Sequence, residues 1–116
     1  MDSLALARKI GDLLLDKQGE DILILDLQEI TTLADYFVIC SGNNRRQLDA
    51  MAATIQGELK KGTENSLARG VEGTPDSGWI LLDYNSVIIH LFTPEMRLYY
   101  QLEELWNAAR MVAHIQ

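Results

Sequence analysis

The chain has 116 residues, 47% of them hydrophobic, and a formal net charge of −7. That is enough apolar material for one domain, 1–116, with a core that needs no disulfide or metal. The acidity argues against holding nucleic acid by phosphate neutralisation, since Arg45-Arg46 and Lys60-Lys61 are too short to make a basic patch, and it suits a basic protein partner.

Asp2 or Ser3 can cap a first helix, in which Leu6, Ile10, Leu13, Leu14 and Lys17 follow helical spacing; Gly19 suits its C-terminal stop. Residues 21–27, DILILDL, form a β-branched apolar run and read as a buried strand. After a short irregular connection at 31–34, residues 35–40, DYFVIC, read as a second strand. The lone thiol, Cys40, lies in that apolar run, which fits a buried, inert cysteine in a reducing compartment. Ser41-Gly42-Asn43-Asn44 breaks the strand, and either Asn can cap the next helix. In that helix Leu48, Met51, Ala52, Ile55 and Leu59 recur at i, i+3, i+4, i+7 and i+11, one apolar stripe, with Met51 as core filler. Residues 60–77 are the most polar stretch, and 68–72 fits a short edge strand within it.

The most informative segment is GWILLDYNSVIIHLFTPEMRLYYQLEELW, residues 78–106. Two β-branched and aromatic runs, 79–84 and 87–92, flank Asn85-Ser86, a two-residue turn in which Asn tolerates the required positive φ. Strand alternation then sorts the side chains. Ile80, Leu82, Tyr84, Val87, Ile89 and Leu91 share an almost wholly apolar face, which is a core face. Trp79, Leu81, Asp83, Ile88, His90 and Phe92 share the other, where large apolar groups alternate with a carboxylate and an imidazole. Such a face is either a partner-binding surface or the second buried side of a covered sheet.

Thr93 as N-cap, Pro94 at the first helical position and Glu95 in the first turn open a last helix. Leu98, Leu102, Leu105 and Ala109 make its stripe, Tyr99 and Trp106 lie alongside, and the end of the chain, 111–116, is expected to fray beyond a folded 1–110. The fold class is α/β (α+β), a mixed sheet of about five strands with helices mainly on one face. A one-sided helical layer leaves the Trp79/His90 face open.

No segment approaches the ~18 apolar residues of a membrane span. The first residues lack the order of a signal peptide, and a bacterial cytoplasmic protein is the simplest account. There is no G-x-S-x-G elbow and no P-loop. The turn at Gly42 could seat a phosphate at a helix start, but capping explains it equally. Zinc needs three or four converging ligands, whereas His90, His114 and Cys40 are scattered. Asp26, Asp35 and Asp83 each fall near a strand end, so two could converge on Mg²⁺; nucleotide transfer of that kind also needs a Gly-Ser turn followed by closely spaced Asp, and neither is present.

The strings DYFVI, SGNNRRQLDA, VEG, GWILLDYNSVIIHLF and PEMRLYYQLEELW, in this order across residues 21–106, resemble the Iojap-like ribosomal silencing factors. The family usually has Ser where Asn44 stands and Gly-Asp or similar at Asn85-Ser86; both changes keep the capping and turn chemistry. The resemblance implies a nucleotidyltransferase-like topology without enzymatic activity or cofactor. It also implies a homodimer that binds the large ribosomal subunit at its protein fourteen, keeps the small subunit away and lowers translation when nutrients are short. On that footing Trp79, Leu81, His90 and Phe92 are the anchors, with Tyr84 at the hairpin end, and Asp83 accepts from a partner Lys or Arg. Arg97, Tyr99 and Tyr100 extend the patch, unless Arg97 pairs with Glu103 or Glu104 and Tyr100 is a core ring. A sequence-specific contact with nucleic acid and a membrane contact are not expected. The alternative from another class is a small nucleotide- or Mg-dependent transferase of similar fold.

Overall fold

A computed structural model describes residues 2–61 and 69–115. Helix α1 is Ser3–Asp16, strands β1 and β2 are Glu20–Asp26 and Tyr36–Ser41, and helix α2 is Arg45–Lys61. Strand β3 is Gly70–Thr74, and a single 3₁₀ turn, Pro75–Ser77, leads into the hairpin β4 (Trp79–Asp83) and β5 (Val87–Phe92). Helices α3 (Pro94–Tyr100) and α4 (Leu102–Leu105) and strand β6 (Arg110–Ile115) come after it.

The caps and turns use the chemistry their residues carry. Asp2 accepts the Ala5 N–H at the start of α1, and Asn44 accepts the Gln47 N–H at the start of α2. Pro94 opens α3, although the Thr93 side chain makes no capping bond. At the end of α1 the left-handed residue is Gln18 rather than Gly19. Gly19 is confined instead by space, because a Cβ there would meet Cys40 Sγ at 2.5 Å. In the hairpin Asn85 takes φ 70°, and Trp79 pairs with Phe92 and Asp83 with Ile88, the register that a two-residue turn dictates.

The six strands form one sheet in the order β3-β4-β5-β2-β1-β6. Among the described residues only the central pair, β2 and β5, is parallel. On one face α1 and α2 bury Ile10, Leu14 and the stripe Leu48, Met51, Ala52, Ile55 and Leu59 against Val38, Leu82, Ile89 and their neighbours. Cys40 lies in this layer, and burial pushes its thiol up to about 12, so it is inert. The edge strand expected at 68–72 is β3, displaced to Gly70–Thr74; Ala68 lies outside the described residues.

Three expectations are corrected. The last helix is not continuous: the chain turns left-handed at Gln101, φ 48°. Leu98 and Leu105, placed in a buried stripe by periodicity, are each 73% exposed. In an uninterrupted helix Arg97 and Glu103, six apart, would not share a side. The break lets Glu103 reach back to Arg97 and lets Trp106 reach the sheet. The chain past Arg110 is not frayed either; Arg110–Ile115 is β6, paired antiparallel with β1, and the sheet has six strands rather than about five. Finally, the second face is not open along its length. Leu102, Trp106 and Ala109 pack there against Leu23, Leu25, Leu27, Phe37, Ile39 and Phe92, a smaller second core.

Candidate docking surface

Strand β4 sends Trp79, Leu81 and Asp83 to the second face, toward the β3 edge, and all three are half-buried. Cross-strand pairing puts Phe92 beside Trp79 and His90 beside Leu81. The indole, imidazole and phenyl planes of Trp79, His90 and Phe92 lie within 8° of one another, with centroids 6.1 to 6.2 Å apart. Tyr100, at the end of α3, packs on this triangle of rings, 5.2 Å from Trp79 and 5.8 Å from Phe92. Tyr99 meets Tyr100 edge-on at 5.1 Å and is 76% exposed.

The nine residues expected to bind a partner therefore divide. Trp79, Leu81, Asp83, Tyr99 and Tyr100 form the accessible part of one aromatic patch. Phe92 and His90 are 1% and 5% exposed and support the patch from beneath. Burial pushes the His90 imidazole down to about 4, so it is neutral at pH 7. Tyr84 is buried on the opposite, α1/α2 face, where burial pushes its hydroxyl upward. Asp83 accepts the Asn85 N–H at 2.8 Å and so steadies its own hairpin turn.

Arg97 is 7% exposed, and its guanidinium ties three elements together. Nη1 donates to the Asp21 carbonyl at 2.6 Å and to Ser41 Oγ at 2.9 Å, while Nε donates to Glu103 at 3.0 Å. The Glu103 pairing is the structural alternative left open by the sequence. Asp21 itself sits at φ 53°, beside a bulge in β1, and its carboxylate also meets His114 of β6. The His114 hydrogen bond, helped by the Arg97 charge, holds the Asp21 carboxyl below its ordinary value.

Sequence reasoning missed that Leu98 and Leu105 are exposed on α3 and α4, because helical periodicity assigned them to the core. The signal that could have found them is the surplus of apolar residues between 96 and 106, more than one stripe can bury. A carboxylate borders the aromatic patch on the β3 side, where Glu72 is the cross-strand neighbour of Leu81.

A separate cleft of about 600 Å³ opens at the C-terminal ends of the parallel strands, lined by Asn43, Asn44, Arg45, Ser77, Thr93 and Met96 among others. Its turn is occupied with the protein's own bonds. Gln47 Oε1 accepts the Asn43 N–H at 2.7 Å, Gln47 Nε2 donates to the Lys17 and Gln18 carbonyls, and Arg45 faces Asp76 at 3.8 Å. Among the described residues no three His, Cys, Asp or Glu side chains come together as a metal site. Asp26 instead pairs with Arg110 at 3.3 Å.

Comparison with known proteins identifies the family and the fold. The family model described as "Ribosomal silencing factor during starvation" matches residues 1–116. The ribosomal silencing factor RsfS of Bacillus subtilis is 41% identical over 95 residues, covering 81% of this chain and 78% of that protein. A mouse relative, named for mitochondrial assembly of the ribosomal large subunit, is 34% identical over 97 residues, which are 82% of this chain and 42% of its own. The crystal structure of a Chromobacterium violaceum protein superposes with a TM-score of 0.86 at 31% identity, covering 92% of this chain and 88% of that one. By sequence along its full length and by fold, the chain belongs to the ribosomal silencing factor (RsfS) family.

Proposed function

We propose that this chain docks on the large ribosomal subunit through ribosomal protein fourteen, blocks joining of the small subunit, and so represses translation when nutrients are short. It acts in the cytoplasm, as a homodimer, by occupying a surface rather than by catalysis. Family membership supports the silencing role, and the mouse relative's name points to the large subunit. The observation that carries the choice of surface is the half-buried Trp79, in contact with Tyr100 and followed on its strand face by Leu81 and Asp83, with Glu72 opposite Leu81. Large, rigid, partly exposed aromatic rings are the usual anchors of protein interfaces, and an acidic border favours a partner rich in Lys and Arg. The interface proposed is Trp79, Leu81, Asp83, Tyr99 and Tyr100, with Leu98 alongside. Phe92 and His90 support it from below, and Arg97 fixes α3 over the sheet.

Sedimentation with isolated subunits tests this. The chain should travel with the large subunit and not the small one. Added before mixing, it should reduce the yield of joined ribosomes. Equal binding to both subunits, or an unchanged joined fraction, would end the silencing proposal.

A further inference from the structure

We infer that His90 is a positioning residue for the Trp79 anchor: its Nδ1 accepts the indole Nε1–H and fixes the ring in its docking orientation, an inference that rests on the docking role proposed above.

The geometry is specific. Trp79 Nε1 lies 3.3 Å from His90 Nδ1, and the two ring planes are within 4° of parallel. An indole N–H points outward in the plane of its ring, and the lone pair of an imidazole nitrogen lies in the plane of its own, so near-parallel rings let the two meet head-on. Indole nitrogen is a donor only. Nδ1 must therefore be the acceptor, and the single ring proton of neutral His90 sits on Nε2.

Packing alone does not account for a histidine here. Its neighbours are Phe37, edge-on at 4.7 Å, Phe92 and the Trp79 ring. Nε2 is buried without a protein hydrogen-bond partner among the described residues. An unpaired buried N–H weakens a fold, and a phenyl ring at this position would avoid it. What the imidazole provides and a phenyl ring cannot is the acceptor at Nδ1. Burial also keeps the imidazole neutral, so the acceptor stays available at neutral and mildly acidic pH. The consequence falls on Trp79. Its indole is half-buried at the rim of the sheet, and a partly exposed ring held by packing alone can rotate about its side-chain bonds. A ring held by a directed bond reaches the partner already ordered, which lowers the entropy lost on docking.

The test compares the parent chain with His90→Phe and His90→Asn. Phenylalanine keeps the ring and removes the acceptor; asparagine loses the ring but places an amide oxygen close to where Nδ1 stood. Three quantities are measured for each: the melting temperature, the Trp79 indole N–H resonance by NMR (assigned with Trp79→Phe), and co-sedimentation with isolated large subunits. His90→Phe should melt no lower than the parent, should move the Trp79 indole resonance and speed its exchange with solvent, and should bind about tenfold more weakly. His90→Asn should melt lower and yet recover the indole resonance and most of the binding.

The inference is overturned if His90→Phe leaves the indole resonance and the affinity at parent values. It is overturned equally if that variant melts well below the parent, since packing would then explain the histidine, or if folded His90→Asn loses as much binding as His90→Phe. Should the parent itself fail to sediment with large subunits, the docking role falls, while the indole comparison still decides whether His90 holds Trp79.

Discussion

Trp106 stands edge-on to Phe37, ring centroids 5.4 Å apart and planes 79° apart. Phe37 belongs to the central strand β2, and Trp106 lies just past α4, beyond the left-handed turn at Gln101. This contact closes the second face of the sheet over β2 and β1 and leaves the β4 end accessible. Trp79 and Leu81 remain half-exposed there, while His90 and Phe92, on the same face, are buried.

If that contact closes the second core, Trp106→Ala should destabilise the fold by about 2–3 kcal/mol, the lower part of the range for aromatic truncations because the ring is only half-buried. Urea unfolding of the two forms measures it. An unchanged midpoint would mean that α4 rests on the sheet without stabilising it.

Arg97 offers a sharper contrast between fold and interface. Replacing it by Ala removes the bonds to Ser41, the Asp21 carbonyl and Glu103 and leaves those groups without their buried partner. A loss of about 1–3 kcal/mol is expected, since the carboxylate left behind on Glu103 is partly open to solvent. Lysine should rescue little of it, because an ammonium lacks the planar fork that serves three acceptors. Calorimetry on Arg97→Ala and Arg97→Lys decides; an Arg97→Ala chain that melts like the parent but no longer binds large subunits would make Arg97 a partner contact instead.

The pH dependence comes from two groups acting in different windows. His90 titrates at an ordinary 6.5 when unfolded and at about 4 in the fold. Above pH 6.5 it is neutral in both states and contributes no slope. As pH falls from 6.5 toward 4 the unfolded chain takes up a proton that the fold does not, and stability declines by about 3 kcal/mol in all. Asp21 acts lower. Its folded carboxyl lies below the ordinary 3.8, so the stability it adds is present above 3.8 and lost as pH falls through the folded value. Urea midpoints at pH 7, 6 and 5 should fall for the parent and stay nearly level for His90→Phe. Parallel slopes for the two would show that His90 is not the group responsible.

Salt separates a protein partner from rRNA. A contact set of six to ten phosphates would weaken binding by roughly 10³ to 10⁵ between 50 and 200 mM salt. An acidic chain docked on a protein neutralises few phosphates, so large-subunit affinity should fall only gently over that range. A steep fall, measured by sedimentation titration, would move the principal contact to rRNA.

How far these features could be read from the sequence depends on how local their causes are. The stripe Leu48, Met51, Ala52, Ile55 and Leu59 is buried as its spacing dictates, and the β4–β5 register comes from Asn85-Ser86 and strand alternation. The break at Gln101 has no Gly or Pro to announce it. It depends on contacts the local sequence does not display, Arg97 to Glu103 and Phe37 to Trp106. Strand β6 is likewise created by pairing with β1, at the other end of the chain, and Arg110 opposite Asp26 helps fix its register. Because α4 and β6 were hidden in this way, the Trp79 face read as wholly open or wholly buried, when it is covered over its centre and open at its β4 edge.

Trp79→Ala, with Leu82→Ala as its opposite-face control, tests the docking surface most directly. Each variant is melted and titrated against isolated large subunits. Trp79→Ala should lose no more than about 2 kcal/mol of stability and bind roughly thirtyfold more weakly, as truncating an interface anchor does. Leu82→Ala, whose side chain is wholly buried beneath the helical layer, should lose about 2–5 kcal/mol and bind normally at temperatures where it stays folded. A Trp79→Ala chain that melts as early as Leu82→Ala, or that binds as tightly as the parent, would contradict docking through this face.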